Sequence, residues 1–122
     1  MTAFLTVEEV IEIHDSEKLC ALIERGKLEG AVGQPSATWG GEYLYPTLLQ
    51  QAGALLFCLC EAHAFEDANK RTAWLSCVTF LDINGVELID VPQPEVEEFM
   101  VAVADTPHLS MEAITLWLTD RV

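Results

Sequence analysis

The stretch from Pro46 to Gly85 restricts the possible folds of this chain more than any other. Leu48, Leu49, Ala52, Leu55, Leu56 and Leu59 follow Pro46 at helical spacing, in a segment that is apolar almost all round. Ala73, Trp74, Cys77, Val78, Phe80 and Leu81 form a second apolar run. It stops at Asn84-Gly85, where glycine can adopt the left-handed cap. A helix without a polar face has to be buried. The pattern therefore predicts two core helices, the first ending near Ala62 and the second starting after Asn69. The polar string from His63 to Arg71 joins them.

The remaining segments are read as elements that cover this pair. Thr6 and Glu9 have capping-box spacing, and Val7, Val10, Ile11 and His14 continue at helical intervals, so a first helix should begin near Thr6. His14 lies on its face and is read as structural. A second helix is expected from about Ser16 to Arg25, with Leu19, Ile23 and Leu22 pointing inward. From Gly26 to Pro46 the glycines and Pro35 interrupt any helical period, so a long ordered loop is expected, with Ala37-Thr38-Trp39 as a short extended piece. A loop of that length in a compact domain is more often functional than accidental. Trp39 and Tyr43 are read equally as anchors to the core and as binding residues. After Pro92 and Pro94, one helix carries Val96, Phe99, Met100 and Val103, and Ser110 caps a last one holding Ile114, Trp117 and Leu118. The fold class is mainly α with a small β-hairpin, as one domain over residues 1–122.

At 122 residues, 51% of them apolar, the chain can close one core and is too short for two. No apolar run approaches the roughly 20 residues of a membrane span, and Met1-Thr2-Ala3-Phe4 lacks the basic start of a secretion signal. A soluble, cytoplasmic protein is expected. Cys58 and Cys60 are two apart and Cys20 and Cys77 are isolated, so the thiols are read as reduced and mostly buried. The net charge of -14 argues against direct nucleic-acid binding and against an anionic membrane surface, both of which need basic patches. Only Lys70 and Arg71 carry positive charge between Lys27 and Arg121.

That isolated pair directs attention to the polar loop. The first N–H groups of a helix have no partner within it, so the turn from Asp67 to Arg71, with Asn69 as cap, is a natural cradle for phosphate. Lys70 and Arg71 add charge, the arginine able to grip two oxygens at once. Asp67 is placed to hold Mg²⁺, which takes one or two carboxylates and fills its other positions with phosphate oxygen and water. His63 is placed to take a proton from an incoming hydroxyl. Taken singly, each has an ordinary structural explanation: a cap for Asp67 or Asn69, core filling for Phe65, a satisfied histidine for His63. By spacing alone those explanations come first.

The whole string, His63-Ala64-Phe65-Glu66-Asp67-Ala68-Asn69-Lys70-Arg71-Thr72-Ala73, resembles the signature of the Fic/Doc family, and its Lys70-Arg71-Thr72-Ala73 ending looks like the Doc branch. Val10-Ile11-Glu12-Ile13-His14 resembles the family's opening helix. Gln34-Pro35-Ser36-Ala37-Thr38-Trp39-Gly40-Gly41 resembles its flap, Tyr45-Pro46 the start of its central helix, and Phe80-Leu81-Asp82-Ile83-Asn84-Gly85-Val86 the end of its site helix. The resemblance implies an α-helical bundle with a β-hairpin flap.

It further implies ATP and Mg²⁺ as cofactors, with His63 as general base and Asp67 as metal ligand. Asp67, Ala68, Asn69, Lys70 and Arg71 would form the nucleotide-binding loop, and Phe65 would anchor it. The flap residues Ser36, Ala37, Thr38 and Trp39 would align a target segment by main-chain pairing. Doc-type members transfer the γ-phosphate to a threonine of elongation factor Tu, arrest translation, and are neutralised by a Phd antitoxin. Fic-type members transfer AMP, but Ala68 and Lys70 stand where their pattern has glycines, and Trp74 where it has a second arginine. Doc-type kinase chemistry is thus the first expectation and AMP transfer the second. A non-catalytic binding module is the rival of another class, kept open by Glu61, which stands where relatives often have a basic residue. The family's self-inhibitory pattern, Ser or Thr followed four residues later by Glu and then a small residue, has no convincing match, so inhibition is expected from a Phd-like antitoxin chain.

Overall fold

The structure, a computed structural model, describes residues 1–105 and 107–122. Helix α1 spans Val7–Glu17, and the Thr6 side chain accepts from the Glu9 N–H while the Glu9 carboxylate accepts from the Thr6 N–H. These reciprocal bonds satisfy two donors that a helix start otherwise leaves open. Helix α2 spans Arg25–Gly33, and a short 3₁₀ turn covers Gln34–Ser36. Strands β1 (Thr38–Trp39) and β2 (Glu42–Tyr43) pair antiparallel, with Thr38 opposite Tyr43 and Trp39 opposite Glu42. Gly40 and Gly41 turn this hairpin with φ of 60° and 84°, a region closed to most side chains.

The two core helices form where the apolar runs place them. Helix α3, Leu48–Ala62, starts on a capping box between Thr47 and Gln50 and buries Ala52, Leu55, Leu56 and Leu59. Helix α4, Asn69–Ile83, buries Ala73, Cys77, Phe80 and Leu81, and Gly85 beyond its end has φ 82°. The two helices pack directly against each other. Helix α5, Gln93–Ala104, and helix α6, Met111–Thr119, close the core, α6 on a Ser110 cap. The Phe99 and Trp117 rings stack at 3.7 Å, and Trp74 meets both edge-on. The fold is mainly α with one two-stranded antiparallel sheet, as expected. All four cysteines are free. Among the described residues no helix is long and apolar enough to cross a membrane.

Two expectations are corrected. No helix runs from Ser16 to Arg25: α1 ends at Glu17, and Lys18 turns into extended backbone (φ -158°, ψ 123°). Leu19 and Ile23 are exposed, while the Leu22 side chain is half-buried against the core and its backbone bridges that of Phe65. The Ile23 and Glu24 N–H groups both donate to the Ala64 carbonyl, and the Glu66 N–H donates to the Ala21 carbonyl. Pairing with the loop after α3 has replaced the helical ladder, and the side chains follow a period of two. Conversely, the glycine-rich stretch from Gly26 is helical as far as Gly33. Leu28, Ala31 and Val32 pack into the core from α2, and this burial outweighs the helix cost of Gly26, Gly30 and Gly33.

Candidate functional site

The site grows from the junction of α3 and α4. His63 ends α3 in the left-handed conformation (φ 43°, ψ 45°), which turns the chain sharply and leaves the imidazole exposed. Ala64 and Phe65 then drop into the core. The Phe65 ring lies on His14 of α1 at 3.7 Å and 9°, a parallel stack. His14 is fully buried, with Nδ1 2.9 Å from Asp15 Oδ1 and Nε2 3.0 Å from the Asp67 carbonyl oxygen. The structural role expected for His14 therefore has a specific object: it carries the signature loop on its ring face and at one ring nitrogen.

Asn69 is not the cap of α4. Its Oδ1 accepts from the Phe65 N–H at 3.1 Å, and its Nδ2 donates to the Phe65 carbonyl at 2.8 Å. The amide is spent on folding the loop back on itself, and the N-cap position belongs to Ala68, in left-handed conformation (φ 64°, ψ 24°) without a side-chain cap bond. Thr72 supports this turn, donating from Oγ1 to the Ala68 carbonyl at 2.7 Å. An α4 start with no side-chain cap keeps its first N–H groups free for an anion.

In front of this helix start lies a cleft of about 440 Å³ lined by Glu17, Lys18, His63, Glu66, Asp67, Ala68, Asn69, Lys70 and Arg71. On its wall, Asp67 Oδ1 accepts from the Ala68 N–H at 2.7 Å and Oδ2 sits 2.5 Å from Lys18 Nζ. The Lys18 ammonium, with the Ala68 N–H behind it, holds the Asp67 carboxyl below its usual range. The same contact raises Lys18 above the ordinary lysine value. An ionised, exposed carboxylate beside a helix start suits Mg²⁺. Among the described residues no three His, Cys, Asp or Glu side chains converge as a preformed metal cage. A metal held through Asp67 would complete its shell with phosphate oxygen and water.

The structure thus gathers His63, Asp67, Ala68, Asn69, Lys70 and Arg71 around one cleft. The flap residues Ser36, Ala37, Thr38 and Trp39 do not line it. Trp39 is 79% exposed and so does not tack the flap to the core, whereas Tyr43 meets Phe4 edge-on at 6.0 Å. Glu61 lies outside the cleft as well, 3.1 Å from His108 Nδ1. Sequence reasoning missed Glu17, Lys18 and Glu66 as cleft residues and did not connect His14 with the loop. Lys18 is 49 positions from Asp67, and no local pattern links the two.

The model of the Fic/DOC family matches residues 4–81, a span containing α1 to α4 up to Leu81 and the whole cleft. The chain is 48% identical over 80 residues to "Toxin Doc" of Mycolicibacterium smegmatis (strain ATCC 700084 / mc(2)155), a match covering 65% of this chain and 62% of that protein. It is 30% identical over 115 residues to "Protein kinase doc" of Escherichia phage P1, covering 90% of this chain and 88% of that one. The match to the first of these relatives spans less than two thirds of its length.

Proposed function

Because the chain belongs to the Fic/DOC family, we propose that it is the toxin of a toxin–antitoxin pair and acts as a cytoplasmic protein kinase. It would move the γ-phosphate of ATP to a Ser or Thr hydroxyl of elongation factor Tu, and so arrest translation. The observation that carries this reading is the single cleft joining His63, Asp67, Lys70 and Arg71 at the uncapped start of α4. One relative's name, protein kinase doc, supports the choice of phosphoryl over nucleotidyl transfer.

In this reading His63, held at the rim by its left-handed backbone, takes the proton of the incoming hydroxyl. The hydroxyl oxygen bonds to the γ-phosphorus as the bond to the β–γ bridging oxygen breaks, and ADP leaves with the electron pair. Lys70, Arg71 and the first N–H groups of α4 hold the phosphates and spread the charge that develops on them. Mg²⁺, held through Asp67, would neutralise the transferring group. Asn69 works indirectly, fixing the turn that aims these donors. The flap at Ser36, Ala37, Thr38 and Trp39 would dock the target strand, and a Phd-like antitoxin would block the toxin.

The test is incubation of the purified protein with elongation factor Tu and Mg-ATP labelled at either the γ- or the α-phosphate, with His63→Ala alongside. Label from the γ position, lost in a folded His63→Ala, is expected. Label from the α position would replace the kinase with AMP transfer. No label, together with no thermal protection by Mg-ATP, would favour a non-catalytic binding module.

A further inference from the structure

Lys18 ends α1 in extended backbone, its N–H donating to the His14 carbonyl at 2.9 Å, and its side chain crosses to the signature loop. The ammonium reaches Asp67 Oδ2, the carboxylate oxygen that the Ala68 N–H leaves open. Three carboxylates on the cleft wall, Glu17, Glu66 and Asp67, face three cations, Lys18, Lys70 and Arg71. Formal charge balances only when Lys18 is counted. Without it the wall would be net acidic and would repel an anionic nucleotide.

Resting on the reading of the cleft as a Mg-nucleotide site, we propose that Lys18 is a further phosphate-binding residue with two stations. In the empty cleft it neutralises Asp67. When a divalent cation takes that carboxylate, the ammonium turns to the polyphosphate and becomes its third cationic contact, beside Lys70 and Arg71. The pair is suited to exchange: the two side chains are 54% and 60% exposed, and ion pairs in that setting are weak and screened by salt. A lysine is a compact charge on a flexible stem and can re-aim without moving the backbone. Among the described residues no lysine or arginine besides Lys18, Lys70 and Arg71 lines the cleft.

Two stations make a prediction of opposite sign for metal and phosphate. MgCl₂ alone, inorganic tripolyphosphate and Mg-ATP would each be titrated calorimetrically into the wild type, Lys18→Ala, Lys18→Arg and a Lys27→Ala control that carries the same charge change outside the cleft. Lys18→Ala should bind Mg²⁺ alone about threefold tighter, because an internal competitor is gone. It should bind tripolyphosphate and Mg-ATP about tenfold more weakly, with Lys18→Arg restoring most of the loss and Lys27→Ala matching the wild type. Weakening of both metal and phosphate, no change in either, or an equal effect from Lys27→Ala would overturn the proposal. A wild type that binds neither Mg-ATP nor tripolyphosphate would instead sink the nucleotide reading, and the role of Lys18 with it.

Discussion

Both ring nitrogens of the buried His14 face acceptors, the Asp15 carboxylate and the Asp67 carbonyl, while its face covers Phe65. One side chain thereby ties α1 to the loop that presents Asp67. His14→Leu would remove the Nε2 contact from the Asp67 carbonyl, leaving it only the longer Cys20 thiol contact at 3.7 Å, and is expected to lower the unfolding free energy by about 2 kcal/mol. It should also reduce the thermal protection given by Mg-ATP. His14→Gln, whose amide can still donate toward that carbonyl, should recover part of both, as denaturant melts and ligand-dependent Tm shifts would register; equal damage from the two variants would mean that stacking alone matters. At this scale His63, Asp67, Lys70 and Arg71 were legible because they lie on one contiguous string. His14 and Lys18 were not, because they join it through contacts spanning some fifty positions, nor was Glu17, which shares only the cleft wall with it.

The entrance to α4 shows how an element can be placed correctly and its mechanism misread. Asn69 is a good capping residue by type, yet its amide closes a ring with the Phe65 backbone, and Ala68 takes the N-cap at φ 64°. A left-handed alanine costs roughly 1–2 kcal/mol that glycine avoids, less the greater freedom of glycine in the unfolded chain. Ala68→Gly should therefore raise the unfolding free energy by about 0.5 kcal/mol in a denaturant melt. A loss of stability would show that the Ala68 methyl contributes more than its backbone costs. Helices α1, α3, α4, α5 and α6 were legible from apolar period and caps, since each buries one continuous stripe. Helix α2 and the extended segment 18–24 were not. In both, local preference is weak and the partner decides: the core for Leu28, Ala31 and Val32, and the Ala64 carbonyl for Ile23 and Glu24.

Across the whole molecule, α3 and α4 form the spine, and their burial sets the response to alkali. Desolvation holds the Cys77 thiol up at about 12, from an ordinary 9.0. Burial, with Glu61 nearby, holds Cys60 up at about 11. Above pH 9 the unfolded chain releases thiol protons that the folded chain keeps, so stability falls as pH rises through the window up to about 12. Cys77 alone supplies a slope of at most about 1.4 kcal/mol per pH unit. Cys77→Ala should be less stable than the wild type at pH 7, through the small cavity it leaves, and the gap should narrow between pH 9 and 11 in urea melts. A gap independent of pH would mean that the thiol ionises freely in the folded protein. The buried pair of helices, the capped helices around it and the polar string at its turn were legible in chain order, because periodicity, caps and a contiguous motif are local properties. Folding alone made segment 18–24 extended, set Asn69 to brace the loop and brought Lys18 to Asp67. Those outcomes depend on which distant carbonyl or carboxylate lies within hydrogen-bonding reach, and chain order alone does not contain that distance.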